Sequence, residues 1–521
     1  MTPGCIIDNS PKNVSVDPTW ITGTFTGHMY AYGSNAVGRV SRIQGLFSEA
    51  MLYVFDPKAM HHIFVKDQHL YDESLFFIAN NHILFGPGLF AMKGEQHRKQ
   101  RKMLNPVFSV AHLRHMVPTF FKVSEQLSDT FFQKVGNQKQ EIDMVTWMTR
   151  AALEIVGQSG MGTSFGPVTE EQEEPHYIAS VKEFQPLMTL TLLPRLLLLP
   201  LAYKYKLGGA WLQRKIVDIF PWKVGHQMAD IVDTIHNTSV DIFEEKKKVL
   251  AQGDTEEASQ LNEGRDIIGI LMRENQKAAN EDKLCDAEII AQMSVLIFAA
   301  MDTTSSALAR ILHLLSMHQD VQDKLRAELR EARENYGDQP DYDQLISLPY
   351  LDAVCRETLR LYPPVPTVIR ETQADAFLPL STPITGVNGE EMSEIFLPKD
   401  SKIFISIQAS NTDPTTWGSD SYEWKPERWL SPLPEAVQES RIPGIYSNLM
   451  TFIGGGRSCI GFKFSQLEMK VILFSLLNRF KFSLPKEEIF WQMTIIASPT
   501  VDPTLSELRP RMPLSVSRLE D

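Results

Sequence analysis

The sequence is poor in cysteine and in net positive charge, and no repeat runs along it. Its four cysteines, Cys5, Cys285, Cys355 and Cys459, lie far apart without a CxxC pair, which argues against a disulfide scaffold or a zinc cluster. Lysine and arginine number 51 against 64 acidic residues, a net charge of −13. A nucleic-acid partner, which needs a basic surface, is therefore not expected. The lack of an internal period argues against a solenoid or a propeller.

Two segments bear on contact with a membrane. The first twenty residues contain no apolar run long enough for a signal peptide or a transmembrane helix, so we expect 1–19 to be an extension without a membrane anchor. The segment 187–203 is strongly apolar, but two prolines and an arginine interrupt it, which argues against a spanning helix. Two alternatives stay open for it: a buried core segment, or an apolar surface that dips into one leaflet in a peripheral membrane contact.

Apolar spacing predicts a mainly α-helical chain with a small β portion. From about 110 to 317 the apolar residues recur mostly at helical spacing, and 286–315 forms one long helical segment with Asp286 as its expected N-cap. Another helix is expected over 348–361, where a Pro-Pro pair ends it. The segment 365–406 contains short β-branched runs separated by proline and glycine, which predict a small sheet.

The sharpest chemical signal surrounds Cys459, in Phe452-Ile-Gly-Gly-Gly-Arg-Ser-Cys459-Ile-Gly461. A thiolate that ligates a metal needs positive surroundings and backbone donors, and the start of the helix expected over about 460–479 supplies both. Three glycines allow a tight loop whose N–H groups can point at the sulfur, and Arg457 lies two residues before it. The alternative is a glycine-rich turn with a buried free cysteine.

This segment resembles the haem-binding loop of the cytochrome P-450 family, F-x-x-G-x-R-x-C-x-G, and fills all five fixed positions. By chance such a match is expected in roughly one chain in ten thousand. The resemblance implies haem b as cofactor, Cys459 as the axial iron ligand, and Phe452, Arg457 and Gly461 as haem-binding residues. It also implies that family's fold, an α-rich domain with minor antiparallel sheets around a buried haem, which we expect over 20–521 as a single domain.

Two further elements resemble family motifs in the expected order. Glu357 and Arg360, three residues apart on a predicted helix, match E-x-x-R and share a helix face. Arg428, in Trp-Lys-Pro-Glu-Arg-Trp, matches the family's P-E-R-F element. By this resemblance the three side chains form a buried charge network behind the cysteine loop. Their role is structural rather than catalytic, and their loss should prevent haem binding.

The sequence Ala299-Ala-Met-Asp302-Thr303-Thr304 resembles the family's A-G-x-D-T-T motif. Asp and Thr are poor helix formers, so their place amid apolar neighbours favours a functional role over a solvated helix face. The resemblance implies that Thr303 hydrogen-bonds to dioxygen at the haem and that Asp302 relays protons from water. Ala300 stands where the family usually has glycine, and its methyl group could narrow the oxygen-binding groove.

Three basic residues match family positions that bind the haem carboxylates. His97 and Arg101 resemble the W-x-x-x-R helix, with histidine in place of tryptophan; both side chains carry an N–H that can donate to a carboxylate. Arg370 matches the family's arginine on a strand. A lone His or Arg is usually only a surface residue, so these three gain weight solely from their register with the other motifs.

The resemblance, most similar to fungal members of the microsomal class, implies a monooxygenase that inserts one oxygen atom from O2 into a hydrophobic small molecule. Hydroxylation or epoxidation of a terpenoid or another secondary metabolite in a fungal pathway would fit. Electrons would come from NADPH through NADPH-cytochrome P-450 reductase. Seven basic residues either form a docking face for it on this chain or are scattered solvated side chains: Arg98, Lys99, Arg101, Lys102, Lys425, Lys463 and Lys470. We expect an intracellular monomer, peripheral on the cytosolic face of the endoplasmic reticulum or cytoplasmic, without an N-terminal transmembrane helix.

Two functions of other classes stay open. One is a haem-thiolate isomerase or dehydratase that does not use O2, against which the Asp302-Thr303 pair argues. The other is a non-catalytic haem-binding protein, against which the lack of an attached signalling module argues. Consumption of NADPH and O2 together with substrate separates both from a monooxygenase.

Overall fold

The computed structural model describes the segments 38–45, 49–169, 177–178, 180, 183–206, 210–251, 266–386, 388–493, 495–502, 504 and 509–519. The extension expected over 1–19 lies outside them. The expectation of one domain over 20–521 begins outside them as well and stays a prediction.

Helices dominate the described residues. The α-helices are α1 (Pro57–His61), α2 (Leu75–Phe85), α3 (Gly94–Leu104), α4 (Val110–Val135), α5 (Met144–Ile155), α6 (Phe184–Leu190), α7 (Leu192–Lys204), α8 (Ala210–Ile219), α9 (Lys223–Ala251), α10 (Ile267–Lys277), α11 (Asp286–Met317), α12 (Gln319–Tyr336), α13 (Tyr342–Ile346), α14 (Pro349–Leu361), α15 (Ile407–Thr412), α16 (Pro414–Trp417), α17 (Glu435–Glu439) and α18 (Phe462–Leu477).

The strands are short. They are β1 (Val40–Gln44), β2 (Ala50–Val54), β3 (Tyr71–Asp72), β4 (Gln140–Asp143), β5 (Thr367–Thr372), β6 (Ala376–Thr385), β7 (Glu391–Leu397), β8 (Lys402–Ser406), β9 (Phe480–Ser483), β10 (Phe490–Gln492), β11 (Ser498–Thr500) and β12 (Pro513–Arg518). The prediction of a mainly α-helical chain with a small β portion is confirmed.

The long helix α11 differs from expectation at its start. Cys285, not Asp286, is the N-cap: its backbone is extended, and its N–H donates to the Glu288 carboxylate over 2.9 Å. In return, the Cys285 side chain accepts from the Glu288 N–H. The two bonds satisfy backbone donors at the helix start that would otherwise lack acceptors. Asp286 is the first helical residue, so its expected role as the cap is wrong by one position.

The chain divides into two compact units. The first consists of Met1–Ser74, Asp352–Cys459 and Trp491–Ser498. It contains a five-stranded sheet in the order β1-β2-β8-β5-β3, in which β2 and β8 pair in parallel and the other pairs are antiparallel. Its apolar core includes Val54 and Ile405, both fully buried. Strand β5 carries Arg370, so this sheet positions one of the predicted haem-binding residues.

The second unit consists of Leu75–Leu351, Ile460–Phe490 and Pro499–Asp521, and holds the long helices. Strands β4, β12 and β9 form a small antiparallel sheet in this unit. Helix α11 lies in its interior. Among the described helices, α11 is the one long and apolar enough to cross a membrane, but 67% of its apolar window is buried inside the protein, as in the core helix of a globular unit.

Candidate active site

The cysteine loop of the first unit folds back on itself. The Cys459 backbone N–H donates to the Phe452 carbonyl over 3.0 Å, and the Ser458 N–H donates to Gly455 over 3.1 Å. These bonds close the loop, and the cysteine itself is exposed rather than buried. The arrangement leaves the thiol of Cys459 accessible, as a metal ligand must be, and the alternative of a buried free cysteine is wrong.

Two glycines let other backbone segments approach this loop closely. A Cβ at Gly454 would lie 1.7 Å from the Pro443 carbonyl oxygen, and a Cβ at Gly455 would lie 1.7 Å from that of Phe64. Gly455 also has φ +69°, a conformation that side chains other than glycine rarely adopt. The local sequence is therefore dictated by contact with neighbouring carbonyls as well as by the turn.

Residues preceding and within β3 hold the loop from one side. The Gly456 N–H donates to Gln68 Oε1 over 3.0 Å, and Arg457 Nη2 donates to Asp72 Oδ1 over 2.8 Å. Arg457 was expected near the sulfur, but its partner could not be predicted from the sequence. Gln68 and Asp72 lie almost 400 residues away along the chain, and no local motif identifies them.

Glu357 and Arg360 on α14 form the predicted buried pair. Both side chains are fully buried, and Arg360 donates from Nε to Glu357 Oε2 over 2.9 Å and from Nη2 to Oε1 over 2.8 Å. Arg360 Nη1 also donates to the carbonyls of Asn411 and Ser421. The two-pronged ion pair satisfies both carboxylate oxygens, which a buried charge pair requires.

Arg428 joins this pair as predicted, with a second carboxylate that the sequence did not indicate. Its Nε donates to Glu357 Oε1 over 3.3 Å, and its Nη1 donates to Asp420 Oδ1 over 2.9 Å. The hydrogen bond from Arg428 lowers the pKa of Asp420. Trp429 Nε1 donates to Glu357 Oε2 over 3.0 Å and the Lys425 N–H to Oε1 over 3.1 Å, so four other residues donate to this carboxylate.

Asn411 connects the charge network to the cysteine loop. Its carbonyl accepts from Arg360, while its side chain accepts from the Met450 N–H over 2.8 Å and donates to Thr451 Oγ1 over 2.9 Å. Met450 and Thr451 directly precede Phe452. A change in the position of Arg360 is therefore transmitted to the start of the loop through a single buried asparagine.

Arg370 on β5 is buried and pairs with Glu73 through Nη1, 2.9 Å from one carboxylate oxygen and 3.0 Å from the other. Burial lowers the pKa of Arg370. Among the described residues no acceptor is found for its Nε and Nη2, which together form the edge that suits a carboxylate. With the accessible thiol of Cys459 in the same unit, these donors fit a haem: a sulfur for the iron and an open guanidinium edge for a carboxylate.

The segment Ala299-Ala-Met-Asp302-Thr303-Thr304, called the oxygen-side motif from here on, lies in α11, in the second unit. Asp302 and Thr303 are half-buried, and Thr304 is buried. Thr303 Oγ1 donates its proton to the Ala299 carbonyl over 2.8 Å, which leaves the hydroxyl oxygen able to accept a hydrogen bond.

Helix α3 of the second unit carries His97 and Arg101 four residues apart on one face. His97 is buried and Arg101 half-buried. The helix is fixed to α11 by Gln100, which accepts from Gln292 Nε2 over 2.9 Å and donates to Glu288 over 3.0 Å. These buried amides hold the orientation of the face that carries the two basic residues.

Three phenylalanines of the second unit form an aromatic cluster beside the motif. The Phe85 and Phe298 rings lie 4.9 Å apart, and the Phe184 and Phe298 rings 5.0 Å apart. Phe298 directly precedes Ala299. The cluster joins helices α2, α6 and α11 just before the Asp302-Thr303 pair, and the Phe85 and Phe184 rings in it are buried.

Glu468 on α18 is a residue that sequence analysis missed. It is fully buried in the second unit, and among the described residues neither carboxyl oxygen has a hydrogen-bond partner. Burial raises the pKa of Glu468 well above its ordinary value, and the nearby Thr304 hydroxyl opposes this shift only in part. The protonated carboxyl is thus favoured, next to the oxygen-side motif.

Lys470 does not belong to the docking face expected for the reductase. Lys470 is 1% exposed, and its Nζ lies 3.4 Å from the Ile346 carbonyl, so it cannot contact a protein partner. Its assignment to a basic surface is wrong, because α18 is buried on nearly every side from Leu467 onward. Lys463, half-buried at the start of the same helix, keeps part of its surface.

Comparison with known proteins identifies the family. The family model of cytochrome P-450 matches residues 29–499. Cytochrome P-450 monooxygenase 91 of Postia placenta is 48% identical over 484 residues, covering 93% of this chain and 88% of the relative. The ganoderic acid synthetase of Ganoderma lucidum is 46% identical over 490 residues, with 93% and 88% covered. A crystal structure of a cytochrome P-450, 21% identical, shares the fold with a TM-score of 0.71 over 99% of each chain.

These matches confirm the predicted fold class, the predicted class of enzyme and haem b as the cofactor. The roles of the individual site residues stay predictions. The chain therefore belongs to the cytochrome P-450 family and is a haem monooxygenase.

Proposed function

We propose that this monooxygenase hydroxylates or epoxidises a hydrophobic small molecule, of the terpenoid or a related secondary-metabolite class. The observation that carries the proposal is the cluster of Phe85, Phe184 and Phe298, in which two buried rings pack against the half-buried Phe298 and make the surroundings of the oxygen-side motif apolar. A relative of 46% identity is named a ganoderic acid synthetase, which supports secondary metabolism as the context. We propose NADPH-cytochrome P-450 reductase as the electron donor.

Haem supplies the oxidising chemistry when bound, and a cysteine thiolate ligand favours O–O cleavage by electron donation. The chain's own residues set ligation, protonation and substrate pose. Cys459 would provide the sulfur, while His97, Arg101 and Arg370 would hold the carboxylates. Thr303 would accept a hydrogen bond at its hydroxyl oxygen, and Asp302 would pass protons inward from water.

Thr303→Ala tests this assignment. We expect product formed per NADPH to fall by about 10²-fold, the usual contribution of positioned proton transfer. NADPH is still oxidised to NADP+, and its two electrons reduce O2 to hydrogen peroxide instead of forming product. The measurement follows NADPH, O2, peroxide and oxidised product together, with a panel of terpenoids chosen by spectral shift on binding. Ser316→Ala is the matched control, because Ser316 makes the same type of bond on the same helix, to Leu312 over 2.7 Å.

An unchanged ratio of product to NADPH in Thr303→Ala would remove Thr303 from the proton path. Conversion of a substrate by the wild-type chain without O2 consumption would replace the monooxygenase assignment by a haem-thiolate isomerase or dehydratase.

We propose further that the protein lies at the cytosolic face of the endoplasmic reticulum through α7 and α8. Arg195 of α7 is buried and donates to Asn80 of α2, which anchors this helix to the protein. Seven apolar side chains of α7 and α8 are nevertheless exposed: Leu193, Leu197, Leu198, Leu201, Leu212, Ile216 and Ile219. Leu198 is 62% exposed and Ile219 81% exposed, which suits insertion into the boundary of a bilayer.

A Leu198→Glu, Leu201→Glu double variant should lose affinity for lipid. Each leucine that no longer enters the bilayer costs about 1.5–3 kcal/mol, so vesicle binding should fall by at least about tenfold. Flotation of the full chain with phosphatidylcholine–phosphatidylserine vesicles measures the bound fraction. Phe377→Glu, at a 59% exposed position in the other unit, is the control and should bind as the wild type does. Equal flotation of all three chains would place membrane contact elsewhere.

A further inference from the structure

In the Arg370–Glu73 ion pair, all hydrogen bonds of the guanidinium with the described residues are made by one nitrogen, Nη1. Nη1 contacts both carboxylate oxygens of Glu73, at 2.9 and 3.0 Å, and it also donates to the Ile369 carbonyl over 2.9 Å. Arginine has five N–H donors. The three N–H groups on Nε and Nη2 of Arg370 have no acceptor among the described residues, although only 3% of this residue is exposed.

Glu73 is held firmly where it meets Nη1. Its backbone N–H donates to Asp72 Oδ1 over 2.8 Å, and Asp72 lies opposite Glu371 in the β3–β5 pairing, directly beside Arg370. The Glu73 side chain is buried, which restricts the positions that its carboxylate can adopt.

The face of the guanidinium is fixed as well. Its central carbon lies 5.2 Å from the centre of the Phe64 ring, a stacking distance for a cation on an aromatic face. With Glu73 at one corner and Phe64 on one face, the remaining freedom of Arg370 is small. Within the described segments its Nε–Nη2 edge has no acceptor, and this edge matches the two oxygens of a carboxylate.

We propose that Glu73 is a positioning residue for a haem carboxylate. It binds Arg370 at Nη1 and so presents the Nε–Nη2 edge in a fixed orientation to the carboxylate. Glu73 itself touches Arg370 and not the cofactor. The inference deepens the assignment of Arg370 to a haem carboxylate on which it rests, and it is independent of the substrate.

The rate at which the full chain releases haem to excess apomyoglobin tests this role. Glu73→Ala should lose haem about tenfold faster than the wild type, the worth of about one hydrogen bond to a charged group. Glu73→Gln, which keeps an oxygen acceptor for Nη1, should recover most of the wild-type rate. Glu49→Ala, which breaks the partly exposed Lys402–Glu49 pair of the same sheet, is the control and should be unchanged.

A parallel series uses the same chains reconstituted with haem dimethyl ester, whose carboxylates are masked. There Glu73→Ala and wild type should release the cofactor at equal rates, because the ester cannot form the ionic contact. If Glu73→Ala does not fold, Glu73→Asp replaces it, since it keeps the charge but shortens the reach by one methylene.

Two results would overturn the proposal. One is release of haem by Glu73→Ala, or by Glu73→Asp where it replaces that variant, at the wild-type rate. The other is the same acceleration with the ester as with haem, which would mean that Glu73 acts on the fold alone. Neither readout involves turnover. A failure to oxidise any terpenoid would therefore reject the proposed function and leave this test unaffected, and the reverse also holds.

Discussion

A Cys459→Ser chain should lose the optical signature of a sulfur-bound ferrous carbonyl and almost all oxygenase activity, to below about 1% of wild type, because the thiolate's electron donation is gone. A serine hydroxyl stays protonated where a thiol in positive surroundings ionises. The loop should survive, since the closing bond of Cys459 is made by its backbone N–H. Carbon-monoxide difference spectra and the thermal unfolding midpoint measure the two effects separately.

Cys285→Ser is the matched control. Cys285 is also exposed, and it caps α11, a position where serine is a preferred residue, so neither spectrum nor stability should suffer. If the Cys459→Ser chain kept the sulfur-bound signature, or if both serine variants lost it, Cys459 would not be the ligand.

Arg360→Leu should cost about 3–5 kcal/mol of folding free energy, because it leaves Glu357 as a buried charge without its main partner. The loss should extend to haem, since Arg360 reaches the start of the cysteine loop through Asn411. We expect a chain that accumulates poorly and carries little haem. Chemical denaturation and the ratio of haem to protein measure the two consequences.

Arg333→Leu is the comparison for that variant. Arg333 pairs with Asp338 on the surface, where such a pair contributes about 0–1 kcal/mol. It should fold and bind haem normally. A normal haem content in Arg360→Leu would show that the network does not support the loop.

The elements were predictable where the signal is local. Apolar periodicity predicted α11 over 286–315, and the helix runs over Asp286–Met317; α14 was expected over 348–361 and runs over Pro349–Leu361. The spacing of Glu357 and Arg360 likewise follows from helix geometry, which brings residues three apart onto one face. Such features need only neighbours in sequence, and a single chain displays them.

The partners of the site residues were not predictable for the opposite reason. Glu73 is 297 residues from Arg370, and Gln68 is 388 residues from Gly456, so only the packed sheet brings them together. The prediction that Lys470 is exposed was wrong for a different reason. A lysine is ordinarily taken as solvated, but α18 has no solvent face at that point, and burial all round erases the periodicity that would have shown it.

The glycine-rich turn has a practical consequence for protein engineering. At 454 and 455 even a methyl group would need the space of a carbonyl oxygen, so a mutagenesis library gains nothing by varying them. Gly456 is different, because the nearest obstacle is the amide end of Gln68, 2.8 Å away on a side chain that can rotate aside. A library meant to retune the redox potential of the iron should therefore randomise 456 and 68 as a coupled pair.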